Sequence, residues 1–190
     1  VIDRIVARVE NDVILLSDVR DLQQYQELVE GKSESPDAIL DRLIDQWIVR
    51  SEAELSRFPQ PMDDEIARGV ARVASSFTSP EEFEARKKQS GLSDAQVRKM
   101  VAGQLYLTNY LDSRFRPSAQ VDQNAVVEFY QNAVVPRAKA RGQEPPTLDA
   151  ARDVIQEALI EKDISNQADR WLKESRVRLH VQKYLDEGQK

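Results

Sequence analysis

Three short stretches of this 190-residue chain have the side-chain pattern of β-strands, and they lie at its two ends. Arg4-Ile5-Val6-Ala7-Arg8-Val9 and Val13-Ile14-Leu15-Leu16 flank Asn11-Asp12, which supplies a turn, so the start reads as a hairpin. Near the end, Arg176-Val177-Arg178-Leu179-His180-Val181-Gln182 alternates strictly, with Val177, Leu179 and Val181 on one side. A lone two-stranded hairpin is marginal in water and needs a further strand or a helix against it. Everything between is helical in pattern, which leaves the C-terminal stretch as the third strand. The chain is therefore predicted to be mostly α, with a small antiparallel sheet made by the N-terminal hairpin and the C-terminal strand.

Caps and apolar spacing mark the helices. Ser17 has the chemistry of an N-cap for a helix over Asp18–Val29, which buries Val19, Leu22 and Tyr25. After the polar break at Gly31–Ser35, Ser35 as cap and Pro36 at the first position open a second helix. Its stripe is Leu40, Leu43, Ile44, Trp47, Ile48, Ser51 and Leu55, ended by Phe58-Pro59-Gln60-Pro61. A third helix runs from Asp63 to Phe77, a fourth starts at Ser79-Pro80 and stops before Gly91, and a fifth runs from Leu92-Ser93 to Arg116-Pro117. A sixth spans Val121 to about Ala140, where Pro136 must kink or end it. Past Pro145-Pro146-Thr147, one long helix is predicted over Leu148–Ser175. These marks divide the chain into 1–117 (helices with the hairpin), 118–146 (helix and linker) and 147–190 (long helix and strand completing the same core).

With 41% hydrophobic and 32% charged residues the chain is expected to fold, and its net charge of -6 disfavours a nucleic-acid partner. It has no cysteine, and no apolar run approaches the roughly 18 residues of a membrane span, so no membrane insertion is expected. No charged n-region with an apolar h-region opens it, and it reads as a soluble mature form.

No constellation for catalysis emerges. The single histidine, His180, has no nucleophile motif beside it and reads as an edge-strand residue. Asp63-Asp64-Glu65 and Glu81-Glu82 fall in first helical turns, where the helix dipole favours negative charge. The basic clusters Arg86-Lys87-Lys88 and Arg137-Lys139-Arg141 read as solvated faces. No catalytic, cofactor-binding or metal-binding residue is assigned, and no cofactor is expected. Phe77, Phe83, Met100 and Tyr106 fall on three successive helices; such side chains line permissive peptide grooves, or they are all core. Trp47 and Trp171 read as core anchors.

The order of elements resembles a known family. Ile2-Asp3-Arg4-Ile5-Val6-Ala7-Arg8-Val9-Glu10-Asn11-Asp12-Val13-Ile14-Leu15-Leu16-Ser17-Asp18-Val19 closely resembles the start of SurA-type periplasmic chaperones. Ala38–Val49 is similar to that family's long helix, and Met62-Asp63-Asp64-Glu65-Ile66 and Gly91–Arg98 to its next helix starts. Val121–Tyr130 is similar to the stretch that leads, in the family, into a parvulin prolyl isomerase domain. Such a domain needs about a hundred residues, whereas only Asn132–Pro146 separates the two helical regions here. The resemblance thus implies a chaperone module without the parvulin domain and without prolyl isomerase activity. It further implies a periplasmic location, no ATP, and unfolded or extended client polypeptides, outer-membrane protein precursors among them. Phe77, Phe83, Met100 and Tyr106 are the expected peptide-binding residues. A structural or dimerising module, with a homodimer as its product, and a parvulin relative with residual isomerase activity are the other readings.

Overall fold

In the computed structural model, which describes residues 3–185, the first and last strands share one sheet. β1 (Ile5–Val9) lies at its centre between β2 (Asp12–Leu15) and β3 (Val181–Lys183), and both pairings are antiparallel. Val6, Ala7, Val9 and Ile14 are buried. The register slips between Ile5 and Ala7, so Val6 is the extra residue of a bulge and two neighbours, Val6 and Ala7, can both point inward. Residues 1–2 and 186–190, including Ile2 of the resemblance and the end of the 147–190 region, lie outside the described residues.

The hairpin turn sits one residue earlier than the sequence suggested. Val9 pairs with Asp12, which leaves Glu10 and Asn11 as the turn, and Glu10 takes the left-handed conformation with φ 52°. That conformation costs a non-glycine residue roughly 1 kcal/mol. Two hydrogen bonds to the last strand's leading residue offset it: Glu10 N–H donates to the His180 carbonyl at 3.0 Å, and the Glu10 carboxylate accepts His180 N–H at 2.8 Å.

The third strand is shorter than the alternation predicts. The long helix α8 (Leu148–Arg178) continues through Arg176 and Val177, and only Val181–Lys183 pairs with β1. Helical geometry lets the Arg176 guanidinium reach Asp45 at 2.6 Å and Asp41 at 3.0 Å, while Val177 projects to solvent, 87% exposed. Ion pairing and helix propagation thus override a β-like pattern.

α1 (Leu16–Glu30) follows β2 without a break, so Leu15, not Ser17, occupies the cap position. The Leu15 N–H donates to the Asp18 carboxylate at 2.9 Å, and the Ser17 hydroxyl donates to Asp3 instead. α2 (Pro36–Leu55) starts as predicted, with Ser35 Oγ accepting Ala38 N–H at 3.3 Å. Its buried stripe is rotated from the predicted one: Ile39, Leu40, Ile44, Ile48, Val49 and Ala53 are buried and Leu55 is exposed. Trp47 is half-buried, not a core anchor, because its indole N–H donates to the exposed Asp12 carboxylate at 2.8 Å.

α3 (Asp63–Ser75), α4 (Pro80–Gln89) and α5 (Asp94–Phe115) follow. α3 meets α5 at Gly69, where a Cβ would stand 2.6 Å from Val101 Cγ1, so only glycine permits this approach. Ser79 caps α4 by accepting Glu82 N–H, and Ser93 and Gln96 form a reciprocal box at the start of α5.

The chain divides into two compact units, one of residues up to Tyr110 together with those from Glu174 on, the other Leu111–Lys173. The element boundaries read at 117/118 and 146/147 fall in the short 3-10 turn Arg116–Ser118 and just before α8. In the second unit, the predicted sixth helix is α6 (Gln123–Phe129), a π-helical turn (Tyr130–Val134) and α7 (Val135–Ala140). Pro136 explains the interruption: it has no N–H to donate one turn back and its ring needs room there, which the wider turn supplies. Trp171 is again half-buried, its ring 6.0 Å from Phe115 with the Arg114 guanidinium 4.8 Å above it, rather than a core anchor.

Candidate peptide-binding surface

The first unit places α3, α4 and α5 around one apolar cluster to which α1 contributes Tyr25 and Leu28. Phe83 is central, 7% exposed, and its ring lies 5.4 Å from Phe77. Phe77 and Met100 pack at the edge and are only half covered, as are Val70, Val73 and Leu105. The structure therefore brings together Phe77, Phe83 and Met100, with Phe83 as the floor and the other two open to solvent.

Tyr106 does not join them. Six residues beyond Met100, it points about 240° around a helix of ~3.6 residues per turn. It is buried against Phe58 at 5.9 Å, and its hydroxyl donates to the Phe58 carbonyl at 3.4 Å. Burial raises its pKa, as it does that of Tyr25.

The half-open face follows from α3. Ile66, Gly69, Val70 and Val73 repeat at helical spacing, yet only Ile66 and Gly69 are buried, and the helix stops at Ser75, so Phe77, predicted as its last residue, lies in the turn beyond it. Contact through a glycine brings the backbones close at one point and leaves the outer apolar side chains of α3 without a full partner.

Charged groups border this face. Lys87, in a cluster expected to be a solvated face, is instead 8% exposed: its ammonium binds Asp94 and, at 2.7 Å, Glu84, and lies 5.2 Å from the Phe83 ring centroid. Those hydrogen bonds, from Asp94 first and then Glu84, raise its pKa. A buried ammonium requires such pairing, which ties α4 to the first turn of α5. Arg86 stands 5.9 Å over the Phe77 ring, with Glu82 at 3.6 Å. The Thr78 hydroxyl and N–H hold the Glu82 carboxyl below the usual range. Beyond Arg86 the ends of α1 and α4 border an open cleft of about 520 Å³, lined by Glu27, Gly31, Lys32, Arg86, Gln89 and Ser90. Gly31, at φ 74°, and Gly91, also at φ 74°, terminate these helices. Both glycines are visible as helix stops in the sequence, but the approach of the two helix ends carries no local signal, so the cleft is not legible there.

The other sequence candidates have structural partners. Asp63 binds Arg98 at 2.6 Å, Asp64 binds Arg68 at 2.7 Å, and Glu65 accepts from Asn109 at 2.6 Å. His180 holds the hairpin turn through its backbone. Among the described residues no three His, Asp or Glu side chains converge as a metal site, and no helix is long and apolar enough to cross a membrane. No protein-family model matches the chain, and no curated protein matches it.

Proposed function

We propose that the chain is an ATP-independent binding module for unfolded or extended polypeptides, a SurA-like periplasmic chaperone module whose clients include outer-membrane protein precursors. The observation that carries the reading is the half-covered apolar face on which Phe77, against buried Phe83, and Met100 edge one apolar cluster, bordered by charged side chains. A holdase without ATP must release its clients by dissociation alone, so its contacts have to be numerous and individually weak. Half-exposed Phe and Met suit that demand, since flexible thioether and ring surfaces accept different apolar side chains at little cost. The module is proposed to have no prolyl isomerase activity and no cofactor. The resemblance of residues 2 to 132 to the SurA family supplies the compartment and the client class.

The test is suppression of aggregation of an unfolded outer-membrane protein on dilution from denaturant. Near-stoichiometric chain keeps it soluble, and Phe77→Asp combined with Met100→Asp weakens this about tenfold while the far-ultraviolet circular dichroism stays native. No suppression by the native chain at several-fold excess would overturn the proposal. Catalysis in a proline-peptide assay that His180→Ala abolishes would overturn its non-enzymatic part.

A further inference from the structure

The sheet has one edge whose backbone is unspent. β3 lies outside β1, with no strand beyond it among the described residues. In an antiparallel pair, residues opposite one another alternate between those that exchange both main-chain hydrogen bonds and those whose N–H and C=O point away. Three contacts fix the phase here. Glu10 N–H donates to the His180 carbonyl at 3.0 Å, Tyr184 N–H donates to the Val6 carbonyl at 2.8 Å, and Arg8 stands opposite Gln182, midway between them. Gln182 therefore bonds to β1, while the N–H and C=O of Val181 and Lys183 face outward, where no described residue takes them. The other edge is less open: of the outward residues of β2, Val13 and Leu15, the Leu15 N–H is spent on the Asp18 carboxylate at 2.9 Å.

A positive N–H and a negative C=O, repeated two residues on, are the electrostatic complement of another extended backbone. Length decides between occupants. A three-residue strand, about 10 Å long at ~3.3 Å per residue, buries far less than the roughly 1,200–2,000 Å² of a stable dimer, so it holds no second copy by itself. A long unfolded chain bound weakly at several places at once needs no more than that from each. The edge is also held in place beforehand, because Lys183 binds Asp41 at 2.8 Å and the Glu10 carboxylate accepts His180 N–H at 2.8 Å.

We infer that the outer edge of β3 is a second docking place for an extended client, whose backbone adds to the sheet as a fourth strand by bonding to Val181 and Lys183. The inference rests on the polypeptide-binding reading and deepens it, because main-chain pairing is blind to the client's side chains and adds affinity without selectivity.

Amide exchange read by nuclear magnetic resonance on the full chain tests this. The probe is an amidated eight-residue peptide of alternating valine and threonine, its binding followed separately by fluorescence anisotropy. In the free chain the Gln182 and Tyr184 amides should be protected, and those of Val181 and Lys183 should exchange fast. Saturating peptide should slow Val181 and Lys183 about tenfold and leave Gln182 unchanged. Val181→Pro removes one outward donor and none of the bonds to β1, so it should weaken the peptide about threefold while Gln182 and Tyr184 stay protected. If that variant loses their protection, the peptide N-methylated at four successive residues replaces it, since it keeps its side chains and donates from neither edge; it should bind at least about threefold more weakly. Peptide that binds without slowing Val181 and Lys183 overturns the docking edge and leaves the polypeptide-binding reading standing. Slow exchange at both in the peptide-free chain overturns it as well, and a rise of that protection with protein concentration would assign the edge to a second copy. No binding of the peptide also overturns the edge, and both readings fall only if the chain in addition leaves an unfolded outer-membrane protein to aggregate.

Discussion

The two compact units differ in how their apolar side chains are covered. Among the described residues, the buried apolar side chains of Leu111–Lys173 are Val126, Ile155, Ile164 and Ala168, and all the others, from Val6 to Tyr110, belong to the first unit. The second unit relies instead on contacts near its surface. Arg116 bridges Asp112 and Glu157 at 2.8 Å each, Arg114 lies over Trp171, and the Tyr130 hydroxyl donates to the Pro146 carbonyl at 2.7 Å. Exposed ion pairs of this kind contribute about 0–1 kcal/mol, whereas one fully buried Leu or Ile contributes about 1.5–3 kcal/mol. The first unit therefore carries the stability. It can leave Phe77 and Met100 half-covered because Leu28, Val97 and Val101, in the cluster they pack against, are sealed.

Removing residues from Arg176 onward should do the most damage, although the cut lies far along the chain from the unit it would break. It deletes β3, the Tyr184 N–H to Val6 carbonyl bond of 2.8 Å, the clasp on Glu10, and the Arg176 and Lys183 ties to Asp41. Amide exchange over Ile5–Leu15 is expected to become fast. Protection at native levels in the truncated chain would show that the hairpin is supported by the helices alone and that β3 is an ornament to it.

Next in size is a pair of matched truncations. Leu28→Ala, at a side chain with no exposure, should cost about 2–5 kcal/mol in urea unfolding, because it opens a cavity among α1, α3 and α5. Ile164→Ala, at 8% exposure in the thinner unit, should cost about 1–2 kcal/mol, since neighbours and water can fill the space. Equal costs would mean that the second unit is as firmly packed as the first, and the contrast between them would fail.

Much of this architecture was legible in the sequence where the signal is local. Ser35 and Ser79 cap the helices they were expected to cap, and the two ends of the chain pair as the isolated hairpin required. The errors arose where a distant partner decides. The alternation at Arg176–Gln182 is genuine, but Asp41 and Asp45 on α2 hold Arg176 in a helix. Ser17 has the right chemistry for a cap and spends it on Asp3, fourteen residues away. The candidate site divides in the same manner. Residue type and the order of successive helices group Phe77, Phe83 and Met100, whereas the helical period between Met100 and Tyr106 turns Tyr106 away from them. The cleft between Gly31 and Ser90 depends on two helix ends meeting, which no window of sequence contains.

The smallest expected effect concerns acid, and it too separates the units. Glu34 sits in the loop between α1 and α2, where the Arg42 guanidinium, at 2.8 Å, and the side-chain amide of buried Gln26, at 3.1 Å, hold its carboxyl down to about 2. Asp41 is lowered as well: burial pushes it up, but hydrogen bonds from Lys183 and Arg176 outweigh that. A carboxyl whose folded pKa lies below its unfolded value stabilises the fold above the unfolded value, and that contribution drains away as pH falls toward the folded one. For Glu34 the window therefore runs from its ordinary value of 4.5 down to about 2. Glu34→Gln keeps the shape of the side chain and cannot titrate. Its urea midpoint should be lower than wild type near neutral pH, and the gap should close between about pH 4.5 and 2. A gap that stayed constant across that range would mean that the Arg42 and Gln26 contacts do not couple to folding. The loop before α2 would then belong, energetically, with the loosely held unit rather than with the sealed one.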